Sequence, residues 1–395
     1  MILSALELEN FRNYESLHLE ANPKINVLFG ENGQGKTSII EAIYMCSCAR
    51  SHRTSKDKEI IKHGEDNYQI RLKYFNAYDG KINYDFEREL GLAYGYFQGK
   101  SGRQRIVSQD GAKFDKISDF VGKFNAVIFA PEDLQLVKSG PAARRRFLDL
   151  LLSQIKTSYF INLQEYSRVL KQRNKLLKQF KEEKKFNLNE FEAMQLDSWD
   201  QQLCQYSVAI ISERLQLLDE IKDYAKDIHE YISSGTEFLS FEYKTNTGIK
   251  KEMNANEMYN ALQTRLKNKR SADIALGYTS LGPHRDDFDI LLNDFSLRNY
   301  GSQGQQRTAV LALKMSELKV IEAYTKQKPV LLLDDVMSEL DFTRRDKLIK
   351  SLSDTQIFIT CTNPEQLDLD WYENSAKDGI SYYKVDSGHV AKVWV

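Results

Sequence analysis

Residues Gly30-Glu31-Asn32-Gly33-Gln34-Gly35-Lys36-Thr37 set glycines, a lysine and a hydroxyl in the spacing G-x-x-x-x-G-K-[ST]. Glycines let successive backbone N–H groups turn toward phosphate oxygens. A lysine directly after them reaches the β- and γ-phosphates, and a threonine hydroxyl suits Mg2+. A helix that begins here adds the positive end of its dipole. The competing reading is a coincidental turn, but a buried strand before the loop and a helix after it favour a bound nucleoside triphosphate. Val330-Leu331-Leu332-Leu333-Asp334-Asp335 reads as a second buried strand, ending in two carboxylates. Ligands of parallel sheets lie at the carboxyl ends of strands. Asp334 is then placed to hold Mg2+ with Thr37. Asp335 is placed to polarise an attacking water, and Lys36 to act on the transferred phosphoryl group. The alternative is a strand-end turn with two solvated aspartates. A second acid at this point, with no NKxD motif in the chain, points to ATP rather than GTP.

A third segment, Tyr300-Gly301-Ser302-Gln303-Gly304-Gln305-Gln306-Arg307, precedes a helical stretch. Ser302 and Gln305 fit a capping box, which is a purely structural role. Gly301 and Gly304 are more than a cap needs; they open the backbone to an anion.

These residues need elements to hold them. Ile25–Phe29 and Ala126–Ala130 are short, continuous apolar runs, the pattern of strands buried on both faces. From 68 to 110 the pattern is of short alternating strands separated by turn residues such as Asp79-Gly80 and Asp110-Gly111. From about 132 to 275 apolar residues recur at three- and four-residue spacing, the pattern of long charged helices. Strand patterns return at 238–244 and 288–292. A helix over about 303–323, the strand at 330, a helix near 341–352, the strand 355–360 and a terminal strand pair follow. The expectation is an α/β fold in which residues 1–131 and 276–395 form one domain and 132–275 a helical arm inserted into it.

Composition narrows the classes. Among 395 residues, 55 Lys and Arg balance 56 Asp and Glu, a net charge of −1 that excludes a uniformly basic chromatin-type protein. Four cysteines without a CxxC pair exclude a zinc ribbon and a disulfide scaffold, and read as reduced thiols. No apolar run approaches the roughly 20 residues of a membrane span, and residues 1–20 lack the pattern of a signal peptide. A cytoplasmic protein without a membrane partner is therefore expected.

The segment around Ser302 resembles the signature motif of ABC-type ATPases, and Ser338-Glu339-Leu340-Asp341 resembles their D-loop. That resemblance implies that Ser302, Gly304 and Gln305 of one subunit close on the nucleotide of another, so that ATP holds a homodimer together. Thr360, Cys361 and Thr362 stand where transporter ATPases carry a switch histidine. The insertion is too short for the coiled-coil arms of SMC proteins. More specific segments resemble the bacterial RecF family: Leu8-Glu9-Asn10-Phe11-Arg12-Asn13-Tyr14, Ser51-His52-Arg53-Thr54, Pro131-Glu132-Asp133-Leu134, Gly140-Pro141 with Arg144-Arg145-Arg146-Phe147-Leu148-Asp149, and Gly282-Pro283-His284-Arg285-Asp286-Asp287. They span nearly the whole chain. The resemblance implies an ABC/SMC-type ATPase head, a mixed sheet plus an antiparallel β-subdomain, carrying a helical arm. It implies a weak DNA-stimulated ATPase that binds DNA near single-strand gaps, dimerises on ATP, and helps load RecA together with RecO and RecR. Arg12 and Asn13 match a loop that touches nucleotide in SMC-like heads; a surface turn is the alternative. The alternative function is the nucleotide-binding subunit of an ABC-type transporter, and a small-molecule P-loop kinase is a third reading.

Two basic stretches are candidates for DNA phosphates. Residues 50–58 carry Arg50, Arg53, Lys56 and Lys58. Residues 168–185 hold eight Lys or Arg against two Glu, and Arg168, Lys171, Lys175 and Lys178 share one helix face. The alternative for both is a solvated surface.

Overall fold

The computed structural model describes residues 1–78, 81–97, 102–185, 187–233, 235, 237–337, 347, 355–367 and 379–393. Ser338–Asp341, the expected helix at 341–352 apart from Lys347, and the turn at Asp79-Gly80 lie outside them. The chain divides into two compact units, Met1–Asp133 with Lys314–Val395, and Leu134–Leu313.

The first unit contains two six-stranded sheets. One is antiparallel, with strands ordered Tyr14–Glu20, Ile2–Phe11, Asn67–Phe75, Arg88–Gly95, Gln104–Gln109 and Ala112–Lys113. The other runs Ala126–Phe129, Val330–Asp334, Ile357–Cys361, Ile25–Phe29 and Ile380–Asp386 in parallel, with His389–Val393 antiparallel at one edge. The mixed sheet and the antiparallel β-subdomain are those that the resemblance implied. The short apolar runs became the central parallel strands because both faces of such a strand are covered: Val330–Asp334 and Ile357–Cys361 are buried throughout. Helix Lys36–Cys48 is buried almost all round, since it touches strands of both sheets. A helix with such surroundings needs no polar face. One strand reading shifts. The alternating pattern expected between 68 and 110 runs on through residues 82–89, yet the strand there begins only at Arg88. Tyr84 and Phe86, 62% and 68% exposed, sit in the preceding turn.

The second unit is mainly helical, with helices Pro141–Ile155, Thr157–Glu182, Glu190–Ser233 and Ala255–Leu276. Asn254 and Glu257 form a full capping box at the start of the last of these, and Gly277 closes it with φ 80°. This compact unit runs on to Leu313, past the boundary expected at 275/276. Strand Asp287–Leu292 pairs antiparallel with Leu239–Lys244, so the segment after 275 folds back into the unit that carries the helices. A local pattern cannot report such a pairing, because the partner strand is about 50 residues away.

The core of this unit is partly ionic. Arg173, fully buried, donates to Asp200 (2.6 Å), to Asp273 (2.8 Å) and to Thr279 (2.9 Å). Burying a guanidinium without such partners would be prohibitive. Two of the sequence segments meet here. Arg144 pairs with Asp287 through Nε (2.7 Å) and Nη2 (2.8 Å), and Arg145 donates to the Asp286 carbonyl (2.7 Å). Arg214 bridges Asp149 (2.7 Å) and the Pro283 carbonyl (2.8 Å).

A candidate nucleotide site

The glycine-rich loop links strand Ile25–Phe29 to helix Lys36–Cys48. Gly30 has φ 148°, and a Cβ there would come 2.3 Å from the Val385 carbonyl oxygen. Gly35 has φ 117°, and a Cβ would strike Asn13 Nδ2 at 2.6 Å and the Tyr14 hydroxyl at 2.7 Å. Both glycines are thus required by conformation and by close approach together. The loop is clamped from outside. Asn13 Nδ2 donates to Gln34 O (3.0 Å), the Tyr14 hydroxyl to Gly35 O (3.1 Å), and Gly388 N to Gln34 O (3.2 Å). Ser387 N donates to Gln34 Oε1 (2.6 Å).

A cleft of about 510 Å3 opens above this loop. Its walls include Arg12, Asn13, Asn32, Gly33, Gly35, Lys36 and Thr37 from the first part of the sequence, and Asp334, Asp335 and Thr360 from the last. Lys36 Nζ donates to Gly30 O (2.6 Å) and Glu31 O (2.7 Å). Burial lowers its pKa from the ordinary lysine value, opposed by the charges of Asp335, Cys361 and Asp334. Thr37 Oγ1 donates to Asp334 Oδ1 (2.9 Å), and Thr360 Oγ1 donates to the same oxygen (2.8 Å). Burial pushes the Asp334 carboxyl above the usual aspartate range, opposed by the two threonine hydroxyls. Asp335 is exposed and lies at φ 54°, a left-handed conformation that Asp tolerates better than most residues. Its backbone N–H is held by Thr360 Oγ1 (2.9 Å). The expected strand-end placement of the aspartate pair therefore holds. Thr360, in the position opposite Asp334 on the neighbouring parallel strand, anchors both members.

Hard oxygen donors from a threonine and an aspartate suit Mg2+, which prefers one or two protein oxygens beside phosphate and water. Thr37 and Asp334 are the residues that would hold it, and the ion would supply neutralisation of phosphate charge.

Arg12 lies in the two-residue turn between strands Ile2–Phe11 and Tyr14–Glu20 but is half-buried rather than solvated. It sits at φ 56°. Nε and Nη2 grip Glu41 (2.9 and 2.6 Å) and Nη1 donates to Glu59 O (2.7 Å). Glu41 is fully buried in the nucleotide helix, also accepts from Ser51 Oγ, and has Arg53 Nη1 at 3.6 Å. Sequence reading missed Glu41. A lone glutamate in the apolar run Ile39–Cys48 was its one signal.

The DNA candidates divide. Arg53 lines the cleft. Lys56 is exposed and pairs with Glu59 (3.1 Å), while Arg50 and Lys58 are exposed. On helix Thr157–Glu182, Arg168, Lys171, Lys175 and Lys178 are all exposed on the expected face; Arg168 also pairs with Glu165 (2.8 Å). Arg173, counted among the basic residues of this stretch, belongs to the core instead.

Ser302, Gly304 and Gln305 lie in the second unit. Ser302 N donates to Gln305 Oε1 (2.8 Å) and Gln305 N to Ser302 Oγ (3.3 Å), a capping box on helix Gln303–Thr325. Gln305 Nε2 donates to Glu237 (2.8 Å). Gly301 has an ordinary φ of −74°. A Cβ there would come 2.5 Å from Leu297 Cδ1, so close packing explains it. His284, near the same segment in sequence, is held by Tyr166 through Nδ1 and by Thr279 O through Nε2 (3.1 Å), and burial lowers its pKa to about 4.

Comparison with known proteins follows the same layout. The family described as RecF/RecN/SMC N terminal domain matches residues 2–375. The DNA replication and repair protein RecF of Ruminiclostridium cellulolyticum is 40% identical over 99% of each chain. RecF of Clostridium perfringens is 42% identical over 95% of this chain and 97% of that one. A solved structure of the recombination mediator protein RecF-ATP in the RecFOR pathway is 35% identical, covers 100% of this chain and 98% of that one, and superposes with a TM-score of 0.87. A Pyrococcus furiosus Smc head domain, 14% identical with a TM-score of 0.50, shares the fold alone. These near-full-length likenesses give the transporter reading no support. The chain belongs to the RecF family, within the wider RecF/RecN/SMC class.

Proposed function

We propose that this protein is an ATP-dependent DNA-binding clamp of DNA replication and repair. The observation that carries the reading is the cleft itself: a glycine loop, Lys36, the Thr37–Asp334 pair and Asp335 on one rim, in a chain alike over its whole length to a RecF-ATP structure. The loop from Gly30 to Thr37 wraps the phosphates of ATP, and Lys36 swings from its carbonyl partners to the β/γ oxygens. Asp335 orients and polarises the attacking water, and Thr360 fixes its backbone. Ser302, Gly304 and Gln305 complete the nucleotide site of a second copy, so that ATP pairs two subunits. The exposed cations Arg50 and Lys58, with Lys56 and the face of Arg168, Lys171, Lys175 and Lys178, contact DNA phosphates. That binding carries little sequence preference and weakens steeply with salt. Arg53 serves the cleft rather than DNA. Membership of the RecF family supports a further part of this reading, action at single-strand gaps with RecO and RecR in support of RecA.

The test is ATP hydrolysis with and without gapped DNA, alongside size analysis of Asp335→Asn with ATP. Asparagine accepts the left-handed backbone at 335, so the variant keeps its fold. Loss of the water-polarising carboxylate should slow hydrolysis about 10²- to 10⁴-fold and accumulate an ATP-bound dimer. An Asp335→Asn protein that stays monomeric with ATP and DNA, or a wild type whose hydrolysis ignores DNA, would overturn the proposal.

A further inference from the structure

A second cavity, of about 370 Å3, lies in the helical unit between helices Thr157–Glu182 and Glu190–Ser233. The two helices run antiparallel, since Arg173 faces Asp200 while Leu177 packs with Leu196. The groove is lined by Gln172, Lys175, Leu176 and Gln179 from the first helix and by Gln195 and Trp199 from the second. These positions recur at three- and four-residue spacing, so each helix offers one continuous face.

The lining has an unusual make-up for a helix–helix surface. A half-buried indole stands beside three primary amides and an ammonium. Surface grooves between helices are ordinarily filled by aliphatic side chains, and here only Leu176 is aliphatic among the residues named. The charge around it is positive. Lys171 and Lys175 are exposed on the same helix, with Arg168 and Lys178 one turn beyond each end. Arg168 pairs with Glu165 and Lys178 with Glu182 (3.7 Å), while Glu192 is taken up by Lys185 and Asp197 and Asp200 by Arg270, which leaves Lys171 and Lys175 as the cations beside the groove. The volume lies within the range of ligand clefts.

We propose that this groove holds an unpaired nucleotide of single-stranded DNA. The indole of Trp199 supplies a face for a base, the amides of Gln172, Gln179 and Gln195 meet base edges of any identity, and Lys175 meets the adjoining phosphate. Flat π surface plus amides plus one cation matches a nucleotide better than an acidic peptide, which would need charge more than an aromatic face. A duplex cannot use the groove, because its bases are already stacked on one another. The inference rests on the DNA-binding reading and adds to it a contact for the single-stranded side of a gap.

The experiment uses the full chain with Trp371→Phe and Trp394→Phe, which leaves Trp199 as the sole tryptophan. Titration with oligothymidylate at low salt should quench its fluorescence. Trp199→Ala should weaken binding of oligothymidylate and gapped DNA roughly 5- to 100-fold, Trp199→Phe should retain most of it, and Lys175→Glu should weaken it in a salt-dependent way. ATP-dependent binding of blunt duplex should be unchanged in both Trp199 variants. Duplex binding with no quenching by oligothymidylate overturns the groove and keeps the clamp reading. Quenching without duplex binding overturns the clamp reading and keeps the groove. Quenching by a polyglutamate peptide but not by the oligonucleotide overturns the choice of ligand.

Discussion

Replacing Arg12 by Met removes the guanidinium that grips Glu41 while keeping the aliphatic stem. Glu41 is fully buried, and Arg12 is 20% exposed along its side chain. Breaking a buried ion pair by removing one partner typically costs about 3–5 kcal/mol, because the other charge is left uncompensated. Two features reduce that here: the partial exposure of Arg12, and Arg53, which remains 3.6 Å from the carboxylate. We expect a loss of about 2–3 kcal/mol. In a unit of roughly 200 residues that lowers Tm by about 4–12 °C. Glu41→Gln leaves a partly hydrated guanidinium facing an amide, and should cost less, about 1–2 kcal/mol. The double variant Arg12→Met/Glu41→Gln removes both charges, so its loss should fall short of the summed single losses by at least about 1.5 kcal/mol. Thermal melts of the four proteins, repeated with ATP to read ligand-dependent stabilisation, supply the cycle. If Arg12→Met melts within about 1 °C of the wild type, or if Glu41→Gln is the more damaging single change, the buried-charge argument fails. Arg12 would then act through the nucleotide alone.

Two other outcomes follow from geometry. Gly30→Ala puts a methyl 2.3 Å from a carbonyl oxygen of the neighbouring strand at φ 148°; ATP-dependent stabilisation should vanish, and Tm should fall even without nucleotide, as differential scanning will show. His284 is held neutral in the folded chain, with its pKa near 4 against an ordinary 6.5. The unfolded chain therefore binds more protons between those values, and stability present above pH 6.5 is lost as pH falls toward 4. The positive charges of Arg285 and Arg145 reinforce the shift and Asp273 opposes it. Urea melts at pH 7, 5.5 and 4.5 should show a shallower decline for His284→Gln than for the wild type, and identical slopes would refute the assignment.

Much of the nucleotide site was legible along the chain because its chemistry is contiguous. A strand, eight loop residues and a helix follow one another, and the glycines that must take positive φ announce themselves by type. The same holds for the capping box of Ser302 and Gln305, four consecutive residues that satisfy one another. Arg53 reads as a surface cation and is exposed, but its approach to a buried carboxylate was not legible, because that carboxylate sits in a helix whose pattern is otherwise apolar. Arg173 was miscounted for a similar reason. Its partners lie about 27 and 100 residues away, and periodicity does not distinguish an arginine on the inner stripe from one a quarter turn outside it.

From residue types and spacing alone came the loop, the aspartate pair, the α/β class and the helical pattern of the middle segment, all of which are local rules of backbone conformation and hydrophobic period. The remainder was settled by which distant segments pair. The parallel register opposite Asp334 makes Thr360 the anchor of both acids. The fold of the antiparallel sheet brings Arg12 onto Glu41. The pairing of Asp287–Leu292 with Leu239–Lys244 assigns the segment after 275 to the helical unit. Such choices depend on burying shared surface between elements far apart in the chain, and a buried charge finds its partner only when those elements meet.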